Sequence, residues 1–175
     1  MVELMRLFFL SGNALWGLRN MSSEHVEVRE VMAALLPHIE RSSALLSGQN
    51  FGNALYAFNR MSDAFDEVRA ILAALAFKLF RSSAELSGLD IGMALFGMRG
   101  MDASSTPEVQ VLLGILLHKI RSGNHTLQLS ELSLAIVGLL GSSPWIKDDF
   151  IRVLASRTAG MTLLTANDTP EDDPS

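Results

Sequence analysis

The sequence has no cysteine, which removes disulfide frameworks, thiolate metal sites and cysteine nucleophiles together. Histidine is scarce as well. His25, His38, His118 and His125 fall into no HExxH or paired-ligand spacing, so no metal and no cofactor is expected. Phosphate loops, dinucleotide glycine fingerprints and the GxSxG elbow are missing too, and the expectation is a protein that binds rather than catalyses. Charged residues make up only 19% of the chain against a usual value of roughly 25%, which implies that much of its surface is packed. No uncharged apolar run approaches the roughly 20 residues of a membrane span. The opening MVELMRLFFLSG is too short in its apolar part and too poorly flanked for a signal peptide. The chain therefore reads as soluble and intracellular, with no membrane partner.

What the sequence does have is a repeat. RSSALLSG at 41–48 returns as RSSAELSG at 81–88, and NALYAFNRM at 53–61 returns as MALFGMRGM at 93–101. The same register reaches back to NALWGLRNM at 13–21, and EVREVMAALLPHIER at 27–41 answers EVRAILAALAFKLFR at 67–81. A third copy, EVQVLLGILLHKIR at 108–121, starts one residue late after an insertion at Ser104 to Pro107, and a fourth, ELSLAIVGLLG at 131–141, keeps only the apolar pattern. A fixed period of this size marks helical pairs that cannot bury their apolar faces alone and must stack.

Within a unit, Phe51, Ala54, Leu55, Phe58 and Met61 recur at spacings of three and four, as do Val68, Ile71, Leu72, Leu75 and Leu79. That is the period of amphipathic helices, and strand alternation is absent. The breaks carry helix-end chemistry. Ser-Gly at 47–48 and 87–88 marks turns between units, Ser62 or Asp63 is a candidate N-cap, and Ser105-Thr106-Pro107-Glu108 reads as a cap, an N1 proline and an early acid. Gly141 closes one helix and Ser143-Pro144 opens the last, which should run to about Arg157. The expected fold is all-α, a right-handed α-solenoid of about four helix-turn-helix repeats with a period of about 40 residues. Its repeats lie at about 1–41, 42–81, 82–122 and 123–158 within a domain at 1–164, and 165–175 reads as a disordered acidic tail.

Asp168, Glu171, Asp172 and Asp173 belong to that tail, and removing them from the 19 acids leaves 15 against 14 basic residues. The folded part is thus close to neutral, without the basic field that dominates nucleic-acid affinity. A local stripe remains open. With Phe51, Leu55 and Phe58 turned inward, Asn53, Tyr56 and Asn59/Arg60 share another face. Their equivalents are Asn13, Trp16 and Arg19/Asn20 before, and Met93, Phe96 and Arg99 after. On a concave side such a set could stack on unpaired bases, hydrogen-bond their edges and meet phosphates. Alternatively, the rings pack between adjacent helices and the amides satisfy free N–H groups near helix starts.

Gln49-Asn50-Phe51-Gly52-Asn53-Ala54-Leu55-Tyr56-Ala57 resembles the Gln-x-x-x-Asn-x-Leu-Trp-Ala opening of octotricopeptide-type repeats, and Asn13-Ala14-Leu15-Trp16 matches its second half. The resemblance covers roughly residues 10–121. It implies an α-solenoid that binds single-stranded RNA in RNA metabolism along its concave face, and makes an organellar location conceivable. The alternative is a scaffold that binds a peptide or protein segment. A further expectation concerns the start of the chain, where Leu4, Phe8 and Phe9 crowd one face of a segment with no preceding repeat; an uncovered apolar patch of this kind should promote self-association.

Overall fold

A computed structural model describes residues 13–43, 46–140 and 144–158. The segments carrying Leu4, Phe8 and Phe9 and the acidic tail lie outside them. Eight helices are found among the described residues, and no strand: α1 (13–17), α2 (Val26–Arg41), α3 (Gly48–Tyr56), α4 (Asp66–Arg81), α5 (Gly88–Gly97), α6 (Pro107–Ser122), α7 (Leu129–Leu139) and α8 (Pro144–Ser156). Tight 3-10 turns at Leu18–Asn20 and Ala57–Arg60 extend α1 and α3.

The helices associate in two series. The odd-numbered series runs α3 against α5 and α5 against α7, with the turn after α1 meeting the turn after α3. The even-numbered series runs α2 against α4, α4 against α6 and α6 against α8. Each helix therefore lies beside the helix two further along the chain. The two stripes read from the sequence form the core: Phe51, Leu55 and Phe58 from the odd series and Val68, Ile71, Leu72, Leu75 and Leu79 from the even series are all buried. Fully burying one side chain of this size is worth about 1.5–3 kcal/mol.

Two glycines set the closeness of the odd series. A methyl group on Gly97 of α5 would collide with the Leu55 carbonyl of α3, and one on Gly138 of α7 with the Leu95 carbonyl of α5. Backbone contacts this close admit no side chain.

Side chains reaching one unit back tie the even series together. Lys78 Nζ donates to the Ser42 carbonyl at 2.6 Å, Lys119 Nζ donates to the Ser82 carbonyl, and Ser82 Oγ donates to the Leu46 carbonyl at 3.1 Å. Burial, and then Arg81, lower the pKa of Lys78, and Glu40 opposes them.

Some expected helix ends differ. Neither Ser62 nor Asp63 caps α4; Phe65 holds the N-cap position without a side-chain bond. Asp63 is committed elsewhere, accepting from the Asp102 backbone N–H at 2.9 Å and from Thr106 Oγ1 at 2.6 Å in the next loop. Thr106 is the N-cap of α6, but for the same reason its hydroxyl does no capping. On α7 Ile136 and Val137 are exposed, as is its C-cap Leu140.

Candidate nucleic-acid interface

The candidate stripe is positioned by a repeated cap. Ser47 Oγ accepts from the Asn50 backbone N–H, and Ser87 Oγ from that of Asp90, each at 3.2 Å. Asp90 closes a capping box by accepting from the Ser87 N–H at 2.9 Å. The same cap fixes the same helical phase, so Tyr56 and Phe96, each nine residues past its serine, point the same way. The Ser-Gly pairs expected as turns thus supply a cap followed by the first helical residue.

Across α1, α3 and α5 the rings form a ladder. Trp16 and Tyr56 lie 5.5 Å apart at 36°, and Tyr56 and Phe96 lie 5.5 Å apart at 15°, close to parallel. All three are half-buried. Packing between helices and a partly exposed surface are both present. The ladder leaves no room for an inserted base, which would need roughly twice the 3.4 Å stacking distance between neighbouring rings. Ring edges are what a ligand could meet.

The cations follow the rings. The Arg19 guanidinium sits 4.8 Å from the Trp16 ring centre and that of Arg99 4.4 Å from Phe96. Arg19 Nη1 donates to the Trp16 carbonyl at 3.1 Å. Two of the arginine bonds span 40 residues: Arg60 Nη1 donates to the Asn20 carbonyl at 3.4 Å, and Arg99 Nε to the Asn59 carbonyl at 3.3 Å. Arg60 and Arg99 thus lean toward the preceding unit. Among the described residues, ion pairs join Arg69 to Asp66, Arg121 to Asp149 and Arg152 to Asp149, and none involves Arg19, Arg60 or Arg99. Three guanidiniums, of which Arg60 and Arg99 are exposed, stand along the ladder with no acidic partner among the described residues.

Asn13 is exposed, and Asn53 is half-buried one turn before Tyr56. Neither amide lies in the first turn of a fully described helix, so the expected N-cap role is not what Asn53 does. Asn59, which the sequence places on this face beside Arg60, organises the ladder most directly: its Nδ2 donates to the Tyr56 carbonyl at 2.8 Å and to the Arg19 carbonyl at 2.9 Å, joining two units. Beyond the ladder, the Asp102 carboxyl is held below its usual range, first by the Ser104 hydroxyl and then by further bonds from Ser104 and Ser105. No group of three or more His, Asp or Glu side chains that could hold a metal is found among the described residues. No described helix is long and apolar enough to cross a membrane.

A second surface was missed altogether. Between α4 and α6 runs an apolar groove of 530 Å³ lined by Ala73, Ala76, Phe77, Phe80, Val111 and Ile115, with Pro107 and Glu108 at one end. Comparison with family models, with curated protein sequences and with solved structures gave no significant match.

Proposed function

We propose that this chain is a non-enzymatic helical-repeat binding module, a right-handed α-solenoid of the octotricopeptide type, that binds single-stranded RNA along the odd-numbered helices. The observation that carries this reading is the strip of Arg19, Arg60 and Arg99 beside the Trp16–Tyr56–Phe96 ladder. Cations that form no ion pair among the described residues, recurring at one place per unit, suit a polymer with a recurring negative charge. Half-exposed ring edges beside them give unpaired bases an apolar surface that a duplex cannot present. Phosphates meet the guanidiniums, bases lie against the ring edges, and Asn13 and Asn53 offer amides to base edges. The chain carries net charge −5, so affinity depends on this strip and not on a general field.

The test is salt-dependent binding of a pooled single-stranded RNA library, with duplex RNA for comparison. Single-stranded RNA should bind more tightly. Replacing Arg19, Arg60 and Arg99 by Gln should flatten the plot of log K against log salt by about 2, since each single-strand phosphate contact contributes a slope of roughly 0.7. Absence of binding at low salt by the folded wild-type chain would end the RNA reading and turn the search to peptide ligands.

A further inference from the structure

The junctions inside the chain pair the same two faces each time. The later helix of a pair turns a backward face toward its predecessor. At positions 59 and 99 its side chain reaches back, Asn59 Nδ2 donating to the Arg19 carbonyl at 2.9 Å and Arg99 Nε to the Asn59 carbonyl at 3.3 Å. At positions 57, 97 and 138 it buries a small residue, Ala57, Gly97 or Gly138. The earlier helix offers a forward face, on which the Leu55 carbonyl receives Gly97 and the Leu95 carbonyl receives Gly138. In the even-numbered series Ile71 of α4 and Leu112 of α6 hold equivalent positions, and each is 0% exposed.

At the two ends of the series these faces have no cover among the described residues. Gly17, equivalent to Ala57 and Gly97, is exposed and has nothing within 4 Å of the place a Cβ would occupy. Arg19, equivalent to Asn59 and Arg99, donates within its own unit, to the Trp16 carbonyl. Val31, equivalent to Ile71 and Leu112, is 46% exposed. The other end shows the converse. Setting Gly138 of α7 on Gly97 of α5 also sets Glu131 on Asp90, each closing a capping box, and Ala135 on Ala94. In that register Gly88, Gly92 and Leu95 of α5 are buried, whereas Leu129, Ser133 and Ile136 of α7 are exposed, Leu129 at 67% and Ile136 at 44%.

One end therefore presents an open backward face and the other an open forward face, and the internal junctions show that faces of these two kinds fit each other. We infer that the chain self-associates end to end, the α7 face of one copy seating the α1–α2 face of a second copy, with Gly17 against Ile136 as Gly97 stands against Leu55, and with Val31 covered from the α8 side. The contact joins two different surfaces. It is heterologous, so each added copy leaves one face of each kind open and growth does not stop at two. Leu129 and Ser133 stand where α5 has Gly88 and Gly92, and their side chains hold the start of the neighbouring helix further off than inside the chain. The association is for that reason looser than an internal junction and depends on concentration.

Sedimentation equilibrium on the full chain without RNA, from about 1 μM to a few hundred μM, reads this directly. The wild-type mass should climb from 19.1 kDa past twice that value without levelling there. Val31→Glu disables the backward face and Ile136→Glu the forward face, and each variant alone should stay a monomer. An equal mixture of the two variants should regain a species of two copies and no more, because one intact face of each kind remains. Both side chains are partly exposed, so the helical circular dichroism should be kept. If either variant fails to fold, Gly17→Leu, which enters open space in the monomer, replaces the first and Leu129→Glu the second. A wild type that stays at 19.1 kDa throughout would overturn the inference. So would a wild-type mass that levels at two copies, growth unchanged by both substitutions, or a mixture that stays monomeric. Association lost only with Phe8→Ser and Phe9→Ser would also overturn it and move self-association to the start of the chain.

Discussion

Gly97→Ala and Gly114→Ala are the same chemical change in two helices, and the structure assigns them opposite signs. Replacing glycine by alanine inside a helix normally stabilises by up to about 1 kcal/mol, through reduced backbone freedom in the unfolded chain and better helix propensity. Gly114, in the middle of α6, has nothing within 4 Å of the place a Cβ would occupy, so it should show this gain. At Gly97 the new methyl would collide with the Leu55 carbonyl and crowd the Tyr56 Cα, both backbone atoms of α3 that no rotamer change can move. Forcing α3 and α5 apart is an overpacking strain of about 1–3 kcal/mol or more, felt throughout a close-packed core. After subtracting the propensity gain, Gly97→Ala should still destabilise by about 1–2 kcal/mol. For a chain of this size that corresponds to a lowering of Tm by roughly 2–8 °C, while Gly114→Ala raises it by a few degrees at most. Ala57 occupies the position equivalent to Gly97 one unit earlier and is buried, so the junction of α3 with the α1 unit accommodates a methyl. Denaturant titration of both variants, followed at 222 nm, checks the signs. Neutral or improved stability for Gly97→Ala would show that the α3–α5 junction widens as readily as that earlier one, and the argument from close backbone contact would fail.

The self-similarity at forty residues carried most of what could be read beforehand. It placed both apolar stripes correctly, from Phe51 to Met61 and from Val68 to Leu79, because periodicity reports burial directly. It also put Trp16, Tyr56 and Phe96 on one face, since equivalent positions in equivalent helices share a phase. What the pattern could not give was the distance between units. Whether the rings stand far enough apart to admit a base depends on the Gly97 contact, a property of two backbones and not of either sequence segment alone. Capping failed for a related reason. Asp63 has the right chemistry for an N-cap, but its carboxylate is drawn to Thr106 and the Asp102 N–H, partners some forty residues away. The α4–α6 groove escaped notice because Phe77 and Phe80 continue an apolar helix pattern; only the three-dimensional arrangement shows that they project outward while Leu75 and Leu79 turn in.

Leu55→Ala and Leu75→Ala should each cost about 2–5 kcal/mol in denaturant unfolding, since Leu55 is 0% and Leu75 1% exposed and truncation leaves a cavity that fixed helices cannot close; losses under about 1 kcal/mol at both sites would show the core to be elsewhere. The last prediction concerns acid. His125 lies in the loop between α6 and α7, where Leu127 N–H donates to the Arg157 carbonyl just past the end of α8 at 3.1 Å, and its buried Nε2 has no partner among the described residues. Burial first, and the Arg157 charge second, lower its pKa, while Glu131 and Glu85 oppose them. The unfolded chain therefore takes up this proton at a higher pH than the folded one, near the ordinary value of about 6.5. Stability is then highest with His125 neutral, above that pH, and falls as pH drops through the unfolded value until the folded imidazole also protonates. His125→Gln, which cannot protonate, should flatten that part of the profile when stability is measured by urea titration between about pH 5 and pH 7.5. Every other titrating group is common to the two chains, so the difference between the two profiles isolates the imidazole. If the variant loses stability with acid as steeply as the wild type, the half-buried His125 imidazole is not the group that senses pH.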